Sequence, residues 1–109
     1  MDLATQGHDA GIGQLAITLN ALPPDTIVYE YSLDWELAFY LGDQPRVHLI
    51  FEPSPQGLAR TVCASDQPVY FAASVKGVTP WFLPLRKRGA RITELTSGPL
   101  RLYLLNCTF

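Results

Sequence analysis

The sequence predicts an α/β fold, in which helices cover both faces of one sheet to form a three-layer α/β/α sandwich. Strand-like runs rich in β-branched and aromatic residues alternate with runs whose apolar residues recur at helical spacing. The last two strand-like runs are separated only by Thr96–Pro99, which is too short for a helix, so these strands should form an antiparallel hairpin. With 109 residues the chain has room for one domain with one core, and we assign residues 1–109 to it.

The first predicted element is a helix that ends before the two prolines at positions 23 and 24. Apolar residues at positions 12, 15, 16, 19 and 22 share one face of this helix. Gly11 and Gly13 lower the helix propensity of the turns before that face. We therefore expect the ordered helix to begin near these glycines, which leaves residues 1–10 open to disorder.

The stretch from Thr26 to Phe51 is predicted to form a β-α-β unit with two parallel strands. Its middle is predicted to be a helix, because apolar residues at positions 33, 37, 40 and 41 share one face and Ser32 stands where an N-cap should be. Val47–Phe51 is a nearly continuous apolar run, which is typical of a strand covered on both faces.

The second half of the chain is predicted to add two helices and three strands. Ser54 followed by Pro55 marks one helix start, and Thr79 followed by Pro80 marks the other. The strands are predicted at Val69–Ala73, Ala90–Leu95 and Leu100–Asn106. This order predicts a Rossmann-like, mainly parallel five-stranded sheet with an antiparallel C-terminal edge hairpin. The predicted core includes Ile27, Tyr29, Leu37, Leu41, Leu49, Phe51, Val69 and Phe71.

The charge and the cysteines argue against several classes of function. The net charge is −2 and no basic stripe is present, so nucleic acid is not an expected partner. Cys63 and Cys107 are too few for a structural zinc site, and neither a metal nor a cofactor is predicted. Their apolar neighbours favour two buried free thiols. A disulfide stays open as the alternative, since it needs the two Cα atoms within about 7 Å of each other.

No group of residues predicts catalysis. His48 lies inside a predicted strand, where a histidine usually forms hydrogen bonds with neighbouring groups and has no catalytic role. His8 lies near the chain terminus. Cys63 falls in a helical run, whereas a thiolate nucleophile of the phosphatase type needs a loop of backbone donors directly after a strand. We therefore predict no catalytic residue, and no hydrolase or transferase activity from this chain alone.

A ligand, if one binds, should occupy the place where the winding of the sheet reverses, between the carboxyl ends of the first and third strands. The side chains there that could hold a sugar hydroxyl or a phosphate are Tyr31, Ser32, Asp34, Ser74 and Lys76. Structural roles remain the alternative for these residues. Ser32 and Asp34 would then cap the predicted helix, while Lys76 would be a solvated loop residue.

A second candidate surface comprises Trp81 and the basic residues Arg86, Lys87 and Arg88. Cations at the end of a helix usually complement the helix dipole and face solvent. The alternative is a docking surface, for example for anionic lipid headgroups.

The run Leu22–Tyr29 followed by Leu37–Gly42 resembles the soluble C-terminal domain of bacterial membrane glycosyltransferases, the relatives of protein O-mannosyltransferases and lipid A aminoarabinose transferases. Pro68–Phe71, Gly89–Leu95 and Leu100–Tyr103 fit the same pattern. The resemblance implies a parent enzyme that uses a polyprenyl-phosphate sugar donor and carries its catalytic carboxylates between transmembrane helices.

On this resemblance the chain would be a non-catalytic module at the extracytoplasmic face of the bacterial cell membrane. It would position an acceptor or dock on the transmembrane portion of its own parent protein, with a sugar or a glycan acceptor as a further partner. The alternative is a free-standing small α/β protein that binds a small polar ligand.

Overall fold

The structure, a computed structural model, describes residues 3–31 and 46–107, and the side chains from residue 11 onward within them. Its elements in chain order are α1 (Leu3–Asn20), β1 (Ile27–Glu30), β2 (His48–Phe51), α2 (Pro55–Ala64), β3 (Val69–Ser74), α3 (Thr79–Lys87), β4 (Arg91–Glu94) and β5 (Leu100–Asn106). The helix predicted to follow Ser32 lies outside the described residues, and so do its core positions Leu37 and Leu41.

The described strands form one mainly parallel sheet in the order β2-β1-β3-β5-β4. Strand β1 pairs in parallel with both β2 and β3, which confirms the parallel strands of the predicted β-α-β unit. Strand β5 is antiparallel to both β3 and β4, so the predicted C-terminal hairpin is confirmed. The second strand of this hairpin, β5, lies inside the sheet next to β3, and the first strand, β4, forms the edge.

Helices cover both faces of the sheet, which confirms the three-layer α/β/α architecture. On one face, α1 packs through Leu15 and Leu19 against residues of the central strands that include Val28 and Leu102. On the other face, α2 and α3 pack around Phe71 of β3. This second cluster also contains Leu58, Val62, Trp81, Phe82, Leu85, Tyr103 and Leu105.

Helix α1 begins at Leu3, ahead of the start that its glycines predicted. Gly11 is buried where α1 approaches the turn between β4 and β5. A Cβ at this position would lie 3.0 Å from Pro99 Cγ and 3.3 Å from Leu100 Cγ. The glycine therefore permits a close approach of helix and turn, and packing of the apolar face offsets its low helix propensity.

The prediction that Val47–Phe51 is covered on both faces is wrong. Ile50 is 39% exposed and Phe51 is 51% exposed, because β2 pairs with β1 alone among the described strands and so forms an edge of the sheet. Ile27, also predicted to be in the core, is 48% exposed. Val69 and Phe71 are buried as predicted.

A disulfide joins Cys63 near the end of α2 to Cys107, the residue after β5, so the interpretation of both as free thiols is wrong. Their Cα atoms lie 4.8 Å apart across 44 positions of sequence. The bond therefore links α2 to the C-terminal end of β5. It closes a loop that contains β3, α3, β4 and β5.

Candidate functional site

The candidate site lies at the carboxyl ends of β1, β2 and β3, which we call the mouth. After β1 the chain continues to β2 on one side, whereas after β3 it continues through α3 to β4 on the other side. This is the reversal of winding at which ligands bind in open α/β sheets, and it falls between β1 and β3 as predicted.

An aromatic wall lines the mouth. Tyr31, the residue after β1, stacks on Phe51 with ring centroids 6.1 Å apart and planes within 24° of parallel. On its other side Tyr31 contacts Trp81 of α3, with centroids 4.7 Å apart. The wall thus passes from the exposed Phe51 through the half-exposed Tyr31 to Trp81, which is 6% exposed and also packs on Phe71.

Two buried carboxylates lie beside this wall. Glu30, the last residue of β1, is 0% exposed, and Glu52, the residue after β2, is 9% exposed. The backbone N–H of Glu52 donates to the Glu30 carbonyl at 2.9 Å, which continues the ladder between the two strands. A buried carboxylate costs free energy unless other groups compensate it, so these two positions are unusual for strand ends.

The Glu52 carboxylate lies at the N-terminus of α2, where a negative charge is favourable. A Cβ on Gly57 would collide with Glu52 Oε1, so the glycine leaves room for the carboxylate. Ser54 is the N-cap predicted from the sequence, and its Oγ accepts from the Gly57 N–H at 3.0 Å. The position of Glu52 is therefore explained by the start of α2.

The turn after β3 supplies the third side of the mouth. Ser74 ends β3, and its Oγ accepts from the backbone N–H of Lys76 at 3.3 Å. Lys76 is exposed, and Gly77 follows it with a φ of 78° that suits glycine. The pairing of Glu30 with Ala72 in the neighbouring strand brings Tyr31, Ser74 and Lys76 to the same end of the sheet.

The predicted site residues thus fall into two groups. Tyr31, Ser74 and Lys76 lie at the mouth, while Ser32 and Asp34 lie outside the described residues. Sequence reasoning missed Phe51, Glu30 and Glu52. The available signal was their position at the ends of the first two strands, next to the predicted reversal of winding.

The second candidate surface is divided by the fold. Trp81 is buried in the aromatic wall, whereas Arg86, Lys87 and Arg88 are exposed at the last turn of α3. The Arg86 guanidinium carbon lies 5.8 Å from the centroid of the Phe82 ring, a distance at which cations interact with aromatic rings. The described part of the chain contains no group of three or more side chains that could hold a metal ion.

One solved structure that resembles this chain is a protein-(glutamine-N5) methyltransferase (release factor-specific) from Alicyclobacillus acidocaldarius subsp. acidocaldarius. The two sequences are 14% identical, the likeness covers 91% of each chain, and the TM-score is 0.40. A likeness at this level carries no argument about the activity of our chain. No family model matches the chain, and no curated protein matches it.

The expected place in the membrane glycosyltransferase family is wrong. The structure that resembles the chain is that of a methyltransferase, and no family model or curated protein links the chain to a glycosyltransferase. The motifs that suggested the family are turn and core positions, which reflect the α/β fold more than any chemistry. Within residues 3–31 and 46–107, no helix has the length and apolar character needed to cross a membrane.

Proposed function

We propose that the chain is a small α/β protein whose mouth binds a neutral, polyhydroxylated ligand such as a sugar. The observation that carries this proposal is the exposed aromatic pair at the mouth. Tyr31 is 39% exposed and Phe51 is 51% exposed, and their rings lie side by side at the reversal of winding. Exposed apolar groups that cluster in this way are typical of ligand-binding surfaces.

The chemistry of the mouth suits a sugar. A sugar ring has an apolar C–H face, which packs on aromatic rings, and a rim of hydroxyls, which need polar partners. Tyr31 and Phe51 offer the apolar surface, while Ser74 and Lys76 at the end of β3 offer polar groups. A mainly apolar wall with a few polar groups is the usual composition of a small-molecule site.

The charges at the mouth favour a neutral ligand over an anion. Glu30 and Glu52 place two carboxylates at the ends of β1 and β2, and Lys76 is the opposing cation in the turn after β3. An anion would meet net repulsion there. Asp34 lies outside the described residues and does not enter this comparison.

Amide chemical shifts recorded while mannose or glucose is titrated into the chain would test the proposal. We expect shifts that cluster at Tyr31, Phe51 and the Ser74–Gly77 turn. Phe51→Ala should weaken binding about fivefold, since an aromatic contact contributes about 1 kcal/mol. Ile17→Ala is the matched control, because Ile17 is an apolar residue on α1 that is 67% exposed and distant from the mouth.

Two outcomes would contradict the proposal. Shifts that cluster at Arg86, Lys87 and Arg88 would place the interaction on the basic end of α3. An equal effect of Phe51→Ala and Ile17→Ala would show that the aromatic wall does not contact the ligand.

We also propose that the chain works in an oxidising, extracytoplasmic compartment. The disulfide between Cys63 and Cys107 supports this, because disulfides persist in such compartments and are rare in a reducing cytosol. Alkylation of free thiols in intact cells, before lysis, tests the idea. Full labelling of both cysteines would refute it. A transmembrane partner was implied by the resemblance alone, and we do not propose one.

A further inference from the structure

A cavity lies at the opposite end of the sheet from the mouth. It has a volume of about 310 Å³ and lies between the amino ends of β1 and β3 and the last turn of α2. We call it the amino-end cavity. Its volume is at the lower end of the range for pockets that bind small molecules.

The walls of the amino-end cavity are apolar and aromatic. Ile27 contributes a side chain that is 48% exposed, next to Val69 and Tyr29 on the face of the sheet that α2 covers. The cavity therefore offers apolar surface that a ligand of matching size would cover.

The polar groups of the amino-end cavity favour positive charge. Asp25 lines the cavity with a carboxylate, and its Oδ1 lies 3.1 Å from His48 Nε2. Thr61 and Ser65 bring in the C-terminal end of α2, where carbonyl groups carry partial negative charge. The last turn of α2 contains no basic side chain to neutralise it.

The backbone at Asp25 is also held in an uncommon conformation. Asp25 has a φ of 67°, the left-handed region that few residues other than glycine adopt. Its N–H donates to the Arg46 carbonyl at 2.7 Å, and the neighbouring Thr26 Oγ1 donates to the Pro23 carbonyl at 2.6 Å. These bonds hold the backbone of the loop that carries the exposed Asp25 side chain beside the cavity.

We propose that the amino-end cavity binds a small organic cation, namely a primary ammonium group carried on an apolar or aromatic body. The ammonium would pair with the Asp25 carboxylate near the C-terminal end of α2. The apolar body would cover Ile27 and pack against Tyr29. This site is independent of the mouth, since the two lie at opposite ends of β1.

Three probes of similar shape but different charge test whether the amino-end cavity of the unaltered chain prefers a cation. Amide shifts are recorded with 2-phenylethylamine, with the neutral 2-phenylethanol and with the anionic 3-phenylpropionate. We expect the amine to bind at least tenfold more tightly than the other two, with shifts at Ile27, Thr61 and Ser65. Equal affinity for all three probes, or shifts that cluster at Tyr31 and Lys76, would overturn the proposal.

A charge-neutralising variant with a matched control locates the cation. Asp25→Asn keeps a residue that tolerates a positive φ, and it should weaken binding of the amine about tenfold while leaving the alcohol unchanged. Asp66→Asn removes the same charge from an exposed residue next to Ser65 that does not line the cavity. Equal losses in the two variants would show a general charge effect and would overturn the assignment to Asp25.

Discussion

Reduction of the disulfide should be the most costly chemical change that leaves the sequence of this chain intact. The bond closes a loop of 44 positions, which restricts the unfolded chain much more than the folded one. The loop-closure relation gives about 4 kcal/mol for a loop of this length at 25 °C. Domains of this size have a total stability of about 5–15 kcal/mol, so the bond provides a large fraction of it.

Urea unfolding of the oxidised and the reduced chain, followed by circular dichroism, measures this contribution. With a denaturant slope of about 1–3 kcal/mol per molar urea, the loss of about 4 kcal/mol lowers the midpoint by about 1.3–4 M. The control is the double variant Cys63→Ala with Cys107→Ala. Its urea midpoint should equal that of the reduced chain and should not change when a reductant is added. Alanine suits Cys107, which is 6% exposed, because it places no polar group in the core.

The urea measurement can contradict the value of about 4 kcal/mol given by the loop-closure relation. A difference of less than about 1 kcal/mol between the oxidised and reduced chains would show that the bond does not restrict the unfolded state as the relation requires. It would mean that packing of α2 on β3 and β5 holds this half of the molecule together whether the cysteines are oxidised or reduced.

Three further predictions concern single side chains. Leu58→Ala removes a side chain that is 0% exposed from α2 and should cost about 2–5 kcal/mol, measured as a lower urea midpoint; an unchanged midpoint would show that this face of α2 is not packed. Gly57→Ala should destabilise the chain because its Cβ collides with Glu52, and in a Glu52→Ala background this cost should be smaller, although Ser54 Oγ still lies 3.0 Å from that Cβ; equal changes in the urea midpoint in the two backgrounds would contradict the collision. Burial raises the pKa of Tyr103, an effect that Arg101 partly offsets. The folded chain therefore holds this proton more tightly than the unfolded chain, and stability should fall as the pH rises above about 10; Tyr103→Phe should reduce this loss.

Features that depend on neighbouring residues could be predicted from the sequence. Ser54 and Pro55 marked the start of α2, and the Ser54 Oγ does accept from the Gly57 N–H at 3.0 Å. The four residues Thr96–Pro99 were too few for a crossover helix, so the antiparallel hairpin of β4 and β5 followed from length alone. These signals are local, and the fold class follows from their order.

Features that depend on the place of an element in the fold could not be predicted. The apolar run Val47–Phe51 has the same sequence pattern in an edge strand and in a central one, and only the strand order makes β2 an edge. Cys63 and Cys107 become neighbours only when α2 packs across the end of β5. The place of Tyr31 at the mouth could be predicted, because Tyr31 comes directly after the first strand. The place of Phe51 could not, because it depends on the strand register that pairs Phe51 with Glu30.

Strand β1 departs from its expected burial at both of its ends. Ile27 was predicted to be in the core, yet it is 48% exposed, and at the other end of the strand the glutamate Glu30 is 0% exposed, which is rare for this residue type. Local rules of this kind are most often broken where function requires it, because each departure costs stability that other contacts must supply. The aromatic wall lies next to Glu30, and the amino-end cavity contains Ile27. Strand β1 therefore connects the two candidate sites, with Ile27 at the amino-end cavity and Glu30 at the mouth.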